Sequence, residues 1–201
     1  MPLRHHQLSA AILAGGKSSR MGKNKALLPV GKHTMIERIV MVVRSITRDI
    51  ALITNSPEEY RFLNLPTYAD EIVGIGPLGG IYTALKRGAG ERCLIVACDL
   101  PFVSEELLAT LHELAIACEI AGFQSERGIE PLCAIYSKSC LPIIQLQIAQ
   151  HDYRVHRLFS STRSKILPIT ATTKKSHAPA LFNVNTPQEF EQASRYANDA
   201  C

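Results

Sequence analysis

The chain has 201 residues, of which 46% are hydrophobic and 20% charged, which is typical of a globular protein and excludes a disordered one. Its length fits a single compact domain spanning residues 1–201. No run of about 18 apolar residues occurs, so no membrane span is predicted. The apolar stretch Leu8–Leu13 is too short for a signal-peptide core, and the cytoplasm is the expected compartment. The six cysteines form no CxxC pair, so buried, reduced thiols are expected.

The net charge of +4 is unevenly distributed. Residues 1–50 hold nine lysines and arginines against two acidic residues, a local charge of +7. Such a basic segment indicates an anionic partner. Nucleic-acid-binding surfaces interleave basic with aromatic residues, but this chain has no Trp, and residues 1–50 have neither Phe nor Tyr. A small phosphorylated ligand is therefore favoured over nucleic acid.

Strands and helices alternate along the first half. Short apolar runs that stop at turn residues predict strands, and apolar residues at helical spacing predict helices. In chain order these are a strand Ser9–Leu13, a helix Thr34–Ile46, a strand Ile50–Thr54, a helix Leu78–Arg87, a strand Leu94–Ala97 and a helix capped by Ser104. The alternation predicts an α/β fold with a mainly parallel sheet and helices on both faces.

The second half continues with more strands. The predicted elements are strands Ile120–Gln124 and Leu132–Tyr136, a helix Leu141–Ala149, a strand Ala180–Val184 and a final helix. Thr186, Pro187 and Glu189 open that helix with a capping box, since they place Thr at the N-cap, Pro at N1 and Glu at N3.

Ligands of parallel sheets bind beyond the carboxyl ends of the strands. Three predicted loops follow such ends: Ala14–Gly31, Asn55–Pro77 and Cys98–Val103. We therefore expect the functional site where these loops meet.

The first loop carries glycines and cations together: residues 13–25 read LAGGKSSRMGKNK. Gly15 and Gly16 allow backbone N–H groups to approach an anion, and Arg20 and Lys25 supply charge for a polyphosphate. The loop matches neither the Walker A pattern nor the dinucleotide-binding GxGxxG pattern.

The third loop places Asp99 at the tip of a buried strand. Two interpretations stay open for it, a structural carboxylate before the helix at Ser104 and a Mg²⁺ ligand facing the cationic first loop. The loop pair favours the second. In the middle loop, Asp70 could accept hydrogen bonds from a nucleobase or hold the loop, and the residues alone do not decide between these roles.

Four segments carry a resemblance to a known family: LAGGKSSRMGKNKALL, GPLGG, ACDLPF and FNVNTPQEF. Together they resemble the molybdenum cofactor guanylyltransferase family of the nucleotidyltransferase superfamily. The likeness covers the first hundred residues and residues 182–190, whereas residues 105–180 match loosely, chiefly through Asp152-Tyr153-Arg154. Cytidylyl relatives more often carry LAAG, so Gly15 favours guanylyl transfer.

The resemblance implies a Rossmann-like, three-layer nucleotidyltransferase fold that uses GTP and Mg²⁺. Such an enzyme attaches GMP to the phosphate of molybdenum-molybdopterin and releases pyrophosphate. Residues 1–103 would form the nucleotide-binding half and residues 104–201 the acceptor half. Transient contacts with cofactor-handling proteins or molybdoenzymes are compatible with this role.

The resemblance also implies site residues. The nucleotide would contact Leu13, Ala14, Gly15, Gly16, Lys25, Asn55, Asp70, Gly76, Pro77 and Asp99, with Asp99 also holding the metal. Arg20, Lys25 and Asp99 would be catalytic, and Arg154, Asn183 and Asn185 would bind the acceptor. Asn24 replaces the Asp that the family often has, so its side chain is expected to matter little.

The acceptor is an ionised phosphate, so the reaction needs no general base, and no Ser-His-Asp triad or Cys nucleophile is expected. Alternatives are a related nucleotidyltransferase that uses CTP or makes a nucleotide-sugar, and a non-catalytic nucleotide-binding module.

Overall fold

Seven strands form one central sheet in the computed structural model, which describes residues 8–15, 24–169 and 180–199. The strands are β1 (Leu8–Leu13), β2 (Pro29–Val30), β3 (His33–Thr34), β4 (Ile50–Ile53), β5 (Thr67–Tyr68), β6 (Arg92–Ala97), β7 (Ile120–Ser125), β8 (Gly128–Ser137) and β9 (Ser164–Pro168). The sheet has the order β5-β4-β1-β6-β8-β7-β9, and β2 and β3 form a separate hairpin.

Six of the seven strands in this sheet run in the same direction. β1 is parallel to β4 and β6, β4 is parallel to β5, and β7 is parallel to β9. Only β8 is reversed, because it pairs antiparallel with both β6 and β7. The predicted, mainly parallel sheet is thus confirmed. Leu13 lies opposite both Ile53 and Ala97, so the ends of β1, β4 and β6 meet at one edge.

Helices cover both faces of the sheet. They are α1 (Met35–Val43), α2 (Pro77–Arg87), α3 (Glu105–Ala115), α4 (Leu141–Ala149), α5 (His156–Ser161) and α6 (Pro187–Asp199). Alternate residues of β1 belong to two different cores: Ile12 packs with the buried faces of α1 and α3, and Leu13 with those of α2 and α4. Because strand side chains alternate between faces, this division produces the expected three layers.

The first helix is shorter than its apolar spacing predicts. It begins at Met35 behind a Thr34 capping box but ends at Val43, and residues 44–46 form turns. The reason lies in the connection to β4, since the buried Thr47 hydroxyl donates to the carbonyl of Leu8 and fixes the chain there at 2.7 Å.

The predicted strand Ala180–Val184 is wrong. Residues 180–186 form a turn and irregular backbone. Val184 is fully buried in a cluster with Val30, Met35 and Ala193, and its N–H donates to the carbonyl of Asp99 at 2.9 Å. The apolar run therefore anchors a loop by packing. The helix after it begins as predicted, because the Glu189 N–H donates to the Thr186 hydroxyl and the Glu189 carboxylate accepts from the Thr186 N–H.

The described cysteines are buried and free, as expected; they are Cys93, Cys98, Cys118, Cys133 and Cys140. Burial raises the pKa of the Cys93 and Cys98 thiols to about 12, so neither is a nucleophile near neutral pH. Within the described part of the chain, every helix is too short or too polar to cross a bilayer.

Candidate functional site

Three distant segments meet at Lys25. Its Nζ lies 2.8 Å from Oδ2 of Asp99 and 2.7 Å from Oδ1 of Asn185. The Lys25 and Asp99 side chains are only 20% and 16% exposed, so the ion pair is largely shielded from water. The first loop, the third loop and the segment before α6 thus converge on one ammonium group.

The position of Lys25 is set by its neighbour Asn24. Lys25 begins a short 3-10 helix, and Asn24 caps it by accepting a hydrogen bond from the Ala26 N–H. The Asn24 amide also donates to the Tyr60 hydroxyl at 2.7 Å and to the Glu59 carboxylate at 2.8 Å. The sequence interpretation assigned Asn24 no such anchoring role, although Asn before a short helix is a recognised capping signal.

Tyr60 was not identified from the sequence. Its side chain is buried, and burial raises the pKa of the phenol to about 12, so it stays a neutral hydroxyl. Nothing local in the sequence brings Tyr60 to Asn24, because 36 residues separate them.

Asp99 holds one carboxylate oxygen ready for a further partner. Its Oδ2 binds Lys25, whereas its Oδ1 is buried and makes no hydrogen bond to the described residues. A buried, unpaired carboxylate oxygen is costly unless a cation binds it. Among the described residues no three His, Cys, Asp or Glu side chains gather around a metal position. The donor set therefore fits Mg²⁺ held by one carboxylate together with substrate phosphates, and does not fit an all-protein metal cage.

The end of β1 lies beside this ion pair. The Cys98 N–H donates to the Leu13 carbonyl at 3.1 Å, and the Ala14 N–H donates to the Ile53 carbonyl at 2.9 Å. Gly15 is exposed, and a Cβ added there would meet no atom of the described residues within 4 Å. None of the described residues therefore blocks the approach of a ligand to this backbone.

Asn55 and Asp70 form a second pair of linked side chains, apart from Lys25 and Asp99. The Asn55 amide donates to Oδ2 of Asp70, and the Asp70 N–H donates back to Asn55, both at 3.2 Å. A Cβ on Gly80 would lie 3.7 Å from Oδ1 of Asp70 and 3.2 Å from Leu13. Two of the predicted nucleotide-binding side chains are thus joined near the end of β1.

Gly76 and Pro77 line an open cavity of about 670 Å³. Gly76 has φ +64°, a conformation that residues with a Cβ rarely adopt. Residues 150–154, which include Arg154, line the same cavity. Arg154, which is expected to bind the acceptor, therefore lines the same cavity as two residues that are expected to bind the nucleotide.

The expected acceptor residues do not form one described cluster. Asn185 contacts Lys25, whereas the Asn183 amide donates to the Leu181 carbonyl at 3.4 Å. No described contact joins Arg154 to either of these asparagines. Two further predicted residues, Gly16 and Arg20, lie outside the described residues.

Arg38 is another residue missed from the sequence. It donates to the Pro101 carbonyl at 2.9 Å and to the Val30 carbonyl at 3.4 Å, and its guanidinium lies 5.2 Å from the Phe102 ring centre. It thereby fixes the loop that follows Asp99. Its only sequence signal is its place in the basic first quarter.

The sequence is similar to known proteins over most of its length. The family model described as MobA-like NTP transferase domain matches residues 10–166. A probable molybdenum cofactor guanylyltransferase of Carboxydothermus hydrogenoformans is 39% identical over 92% of this chain and 94% of its own. A probable molybdenum cofactor guanylyltransferase of Flavobacterium johnsoniae is 40% identical over 91% of this chain and 94% of that protein.

A solved structure shares the fold. The molybdopterin-guanine dinucleotide biosynthesis protein A of Archaeoglobus fulgidus superimposes with a TM-score of 0.79 at 22% identity, covering 95% of this chain and 99% of that one. The expected nucleotidyltransferase fold is thereby confirmed. The match to the family model and the identity to its curated relatives cover most of the sequence, and the chain belongs to the MobA-like NTP transferase family, among the molybdenum cofactor guanylyltransferases.

Proposed function

We propose that this protein transfers GMP from GTP to the phosphate of molybdenum-molybdopterin and releases pyrophosphate. The observation that carries the proposal is the convergence of Lys25, Asp99 and Asn185 at the carboxyl end of the parallel strands. This arrangement offers a preorganised cation and a carboxylate with an unpaired oxygen to a triphosphate. The names of the relatives support the choice of guanine and of a molybdopterin acceptor.

The proposed roles follow the two pairs of linked side chains, Lys25 with Asp99 and Asn55 with Asp70. Lys25, with Arg20, neutralises the phosphates, and the backbone of residues 13–16 lies along them. Asn55, Asp70, Gly76 and Pro77 surround the nucleoside. Arg154, Asn183 and Asn185 serve the acceptor, so the halves 1–103 and 104–201 contribute mainly to nucleotide and acceptor.

The chemistry needs positioning more than proton transfer. The attacking phosphate is already ionised at neutral pH, and the barrier comes from repulsion between anions and from charge on the departing pyrophosphate. Lys25 is held between Asp99 and Asn185, so its charge is in place before the reaction begins. A bound Mg²⁺, for which Asp99 is the proposed ligand, would neutralise further phosphate charge.

The reaction is proposed to take place in the cytoplasm. Five buried free thiols suit a reducing compartment. Transient contacts with proteins that supply molybdopterin or receive the product are part of this proposal.

Pyrophosphate release tests the proposal directly. The protein is incubated with Mg²⁺ and GTP, CTP, UTP or ATP, each with and without molybdenum-molybdopterin. We expect pyrophosphate only with GTP and acceptor together. Release with CTP instead would make the enzyme a cytidylyltransferase, and GTP binding without any release would leave a non-catalytic nucleotide-binding module.

A further inference from the structure

The wall of the 670 Å³ cavity that residues 150–154 form carries two aromatic side chains. His151 and Tyr153 line the cavity beside Arg154. The volume is in the range of sites that enclose a cofactor-sized molecule. The proposed function gives Arg154 a role but leaves both rings unexplained.

The direction of this wall is set by the end of α4. His151 follows the C-cap residue Gln150 with φ +56°, a region that histidine tolerates. Its N–H donates to the carbonyl of Ile148 and the Asp152 N–H donates to that of Gln147, both at 3.0 Å, which are the hydrogen bonds of a Schellman cap. The helix cap therefore turns the chain so that residues 151–154 line the cavity.

Buried contacts hold the wall in place. Gln147 is 6% exposed, and its amide donates to the carbonyls of Asp152 at 3.1 Å and Arg154 at 3.3 Å. The Asp152 N–H donates back to the Gln147 carbonyl at 3.0 Å. A segment tied at several points to α4 is a positioned surface.

The Arg154 guanidinium is also fixed. Its Nε and Nη2 each lie 2.7 Å from a different oxygen of Asp152, and Arg157 contacts the same carboxylate at 3.1 Å. The two arginines against one aspartate leave a net positive charge. The bidentate pair occupies Nε and Nη2 and leaves Nη1 of Arg154 for an anion.

The two rings are oriented relative to each other. Their centres are 6.3 Å apart in an edge-to-face arrangement, and Nδ1 of His151 lies 3.0 Å from the Tyr153 hydroxyl. An aromatic wall next to a fixed guanidinium suits a planar heterocycle that carries a phosphate.

We propose that His151 and Tyr153 form the surface against which the pterin ring system of the acceptor packs, with its phosphate towards Arg154. This inference rests on the proposed function. We place the acceptor rather than the guanine base against these rings because Asn55 and Asp70, near Leu13, already offer hydrogen-bonding groups for the base.

Two variants separate binding from folding. Tyr153→Leu keeps an apolar side chain of similar bulk but removes the ring. His151→Gly removes the ring and relieves the backbone, because glycine favours positive φ. His156→Ala is the matched control, since His156 is exposed on the neighbouring α5 and does not line the cavity.

The steady-state constants of the variants are measured with GTP and acceptor varied separately. Loss of a stacking ring weakens binding roughly tenfold, so we expect the acceptor KM to rise about tenfold in Tyr153→Leu, with an unchanged GTP KM. We expect the same direction in His151→Gly, with a melting temperature equal to or above that of the unmodified protein. If His151 only shapes the backbone, the acceptor KM of His151→Gly stays unchanged, and His151 is then not part of the binding surface. The inference is overturned if the acceptor KM of both variants stays within twofold of that of the unmodified protein, or if the GTP KM rises instead.

Binding of metal-free molybdopterin without GTP keeps the test independent of turnover. If the unmodified protein binds this pterin and the two ring variants bind it about tenfold more weakly, the inference holds even if no pyrophosphate is ever released. If turnover is normal and both variants bind the pterin like the His156→Ala control, the inference fails while the proposed function stands.

Discussion

The side chain of Asn24 shows how one residue can fix the position of the residue next to it, Lys25, for which a catalytic role is proposed. Its carbonyl caps the helix that begins at Lys25, and its amide donates to Glu59 and Tyr60. An aspartate could serve as the cap. It could not donate an N–H to Glu59. Its carboxylate would instead lie next to the Glu59 carboxylate, to which the Asn24 amide now donates at 2.8 Å, and the two negative charges would repel each other.

Asn24→Asp should therefore lower the stability of the protein by about 1–2 kcal/mol, through one lost hydrogen bond to a charged group and one repulsion. Urea unfolding at pH 7 measures the change. In the background of Glu59→Gln the repulsion is absent, so at least half of the loss should disappear. Equal unfolding midpoints for Asn24→Asp and the unmodified protein would contradict the anchoring role.

Lys25 itself provides the second test at this scale. Lys25→Ala removes the ammonium group that Asp99 and Asn185 hold in place, and we expect a rate of GMP transfer lower by roughly 10²–10³-fold. Lys32→Ala, which removes an exposed lysine in the β2–β3 turn, serves as the control. A loss below about threefold in Lys25→Ala would limit Lys25 to a structural ion pair with Asp99.

At the scale of elements, local signals predict what depends on local contacts. The capping residues Ser104 and Thr186 mark helix starts that the structure confirms, since each cap side chain accepts a backbone hydrogen bond. The segment Ala180–Val184 is not a strand, because its residue Val184 is buried by packing against α1 and α6. A short apolar run that is buried in this way has the same sequence pattern as a strand.

The cap of α6 links an element to the site. Burial raises the pKa of Glu189, but hydrogen bonds from the backbone of Asn185 and from Thr186 outweigh it and leave the pKa below the ordinary value of 4.5. The carboxylate thus holds the residue that contacts Lys25. Its contribution to stability is complete above about pH 5 and is lost as the pH falls through the lowered pKa.

Glu189→Gln should accordingly be less stable than the unmodified protein at pH 7, by about 0.5–2 kcal/mol as for other caps, and the difference should shrink towards pH 3. Urea unfolding midpoints between pH 3 and pH 7 measure this. Glu191→Gln, which changes an exposed glutamate on the same helix, should show no such trend. A difference that stays constant with pH would argue against the capping role.

At the scale of the molecule, the rule that parallel strands end at one edge predicts which loops meet, but it does not predict which side chains touch. The contact between Lys25 and Asn185 spans 160 residues and depends on how α6 packs against the β2–β3 hairpin. Likewise Arg154 lines the same cavity as Gly76 and Pro77, which no local pattern encodes.

Because the proposed site joins residues from Leu13 to Asn185, nucleotide binding should stabilise the protein globally. GTP with Mg²⁺ at about 100 times its Kd should raise the melting temperature by about 5–10 °C. CTP and UTP at the same concentration should have little effect, and thermal unfolding in the three nucleotides compares them. Equal protection by CTP would contradict the guanine preference.

The central proposal is that the Lys25–Asp99 pair binds a triphosphate through the Lys25 ammonium group and its divalent ion through Oδ1 of Asp99, which has no partner among the described residues. It is tested most directly by the Mg²⁺ dependence of GMP transfer in Asp99→Asn, a substitution that keeps the shape of the side chain and its ability to accept a hydrogen bond from Lys25. The account requires a fold that melts normally and a loss of Mg²⁺-dependent transfer. Turnover close to that of the unmodified protein, with the same Mg²⁺ requirement, would contradict it.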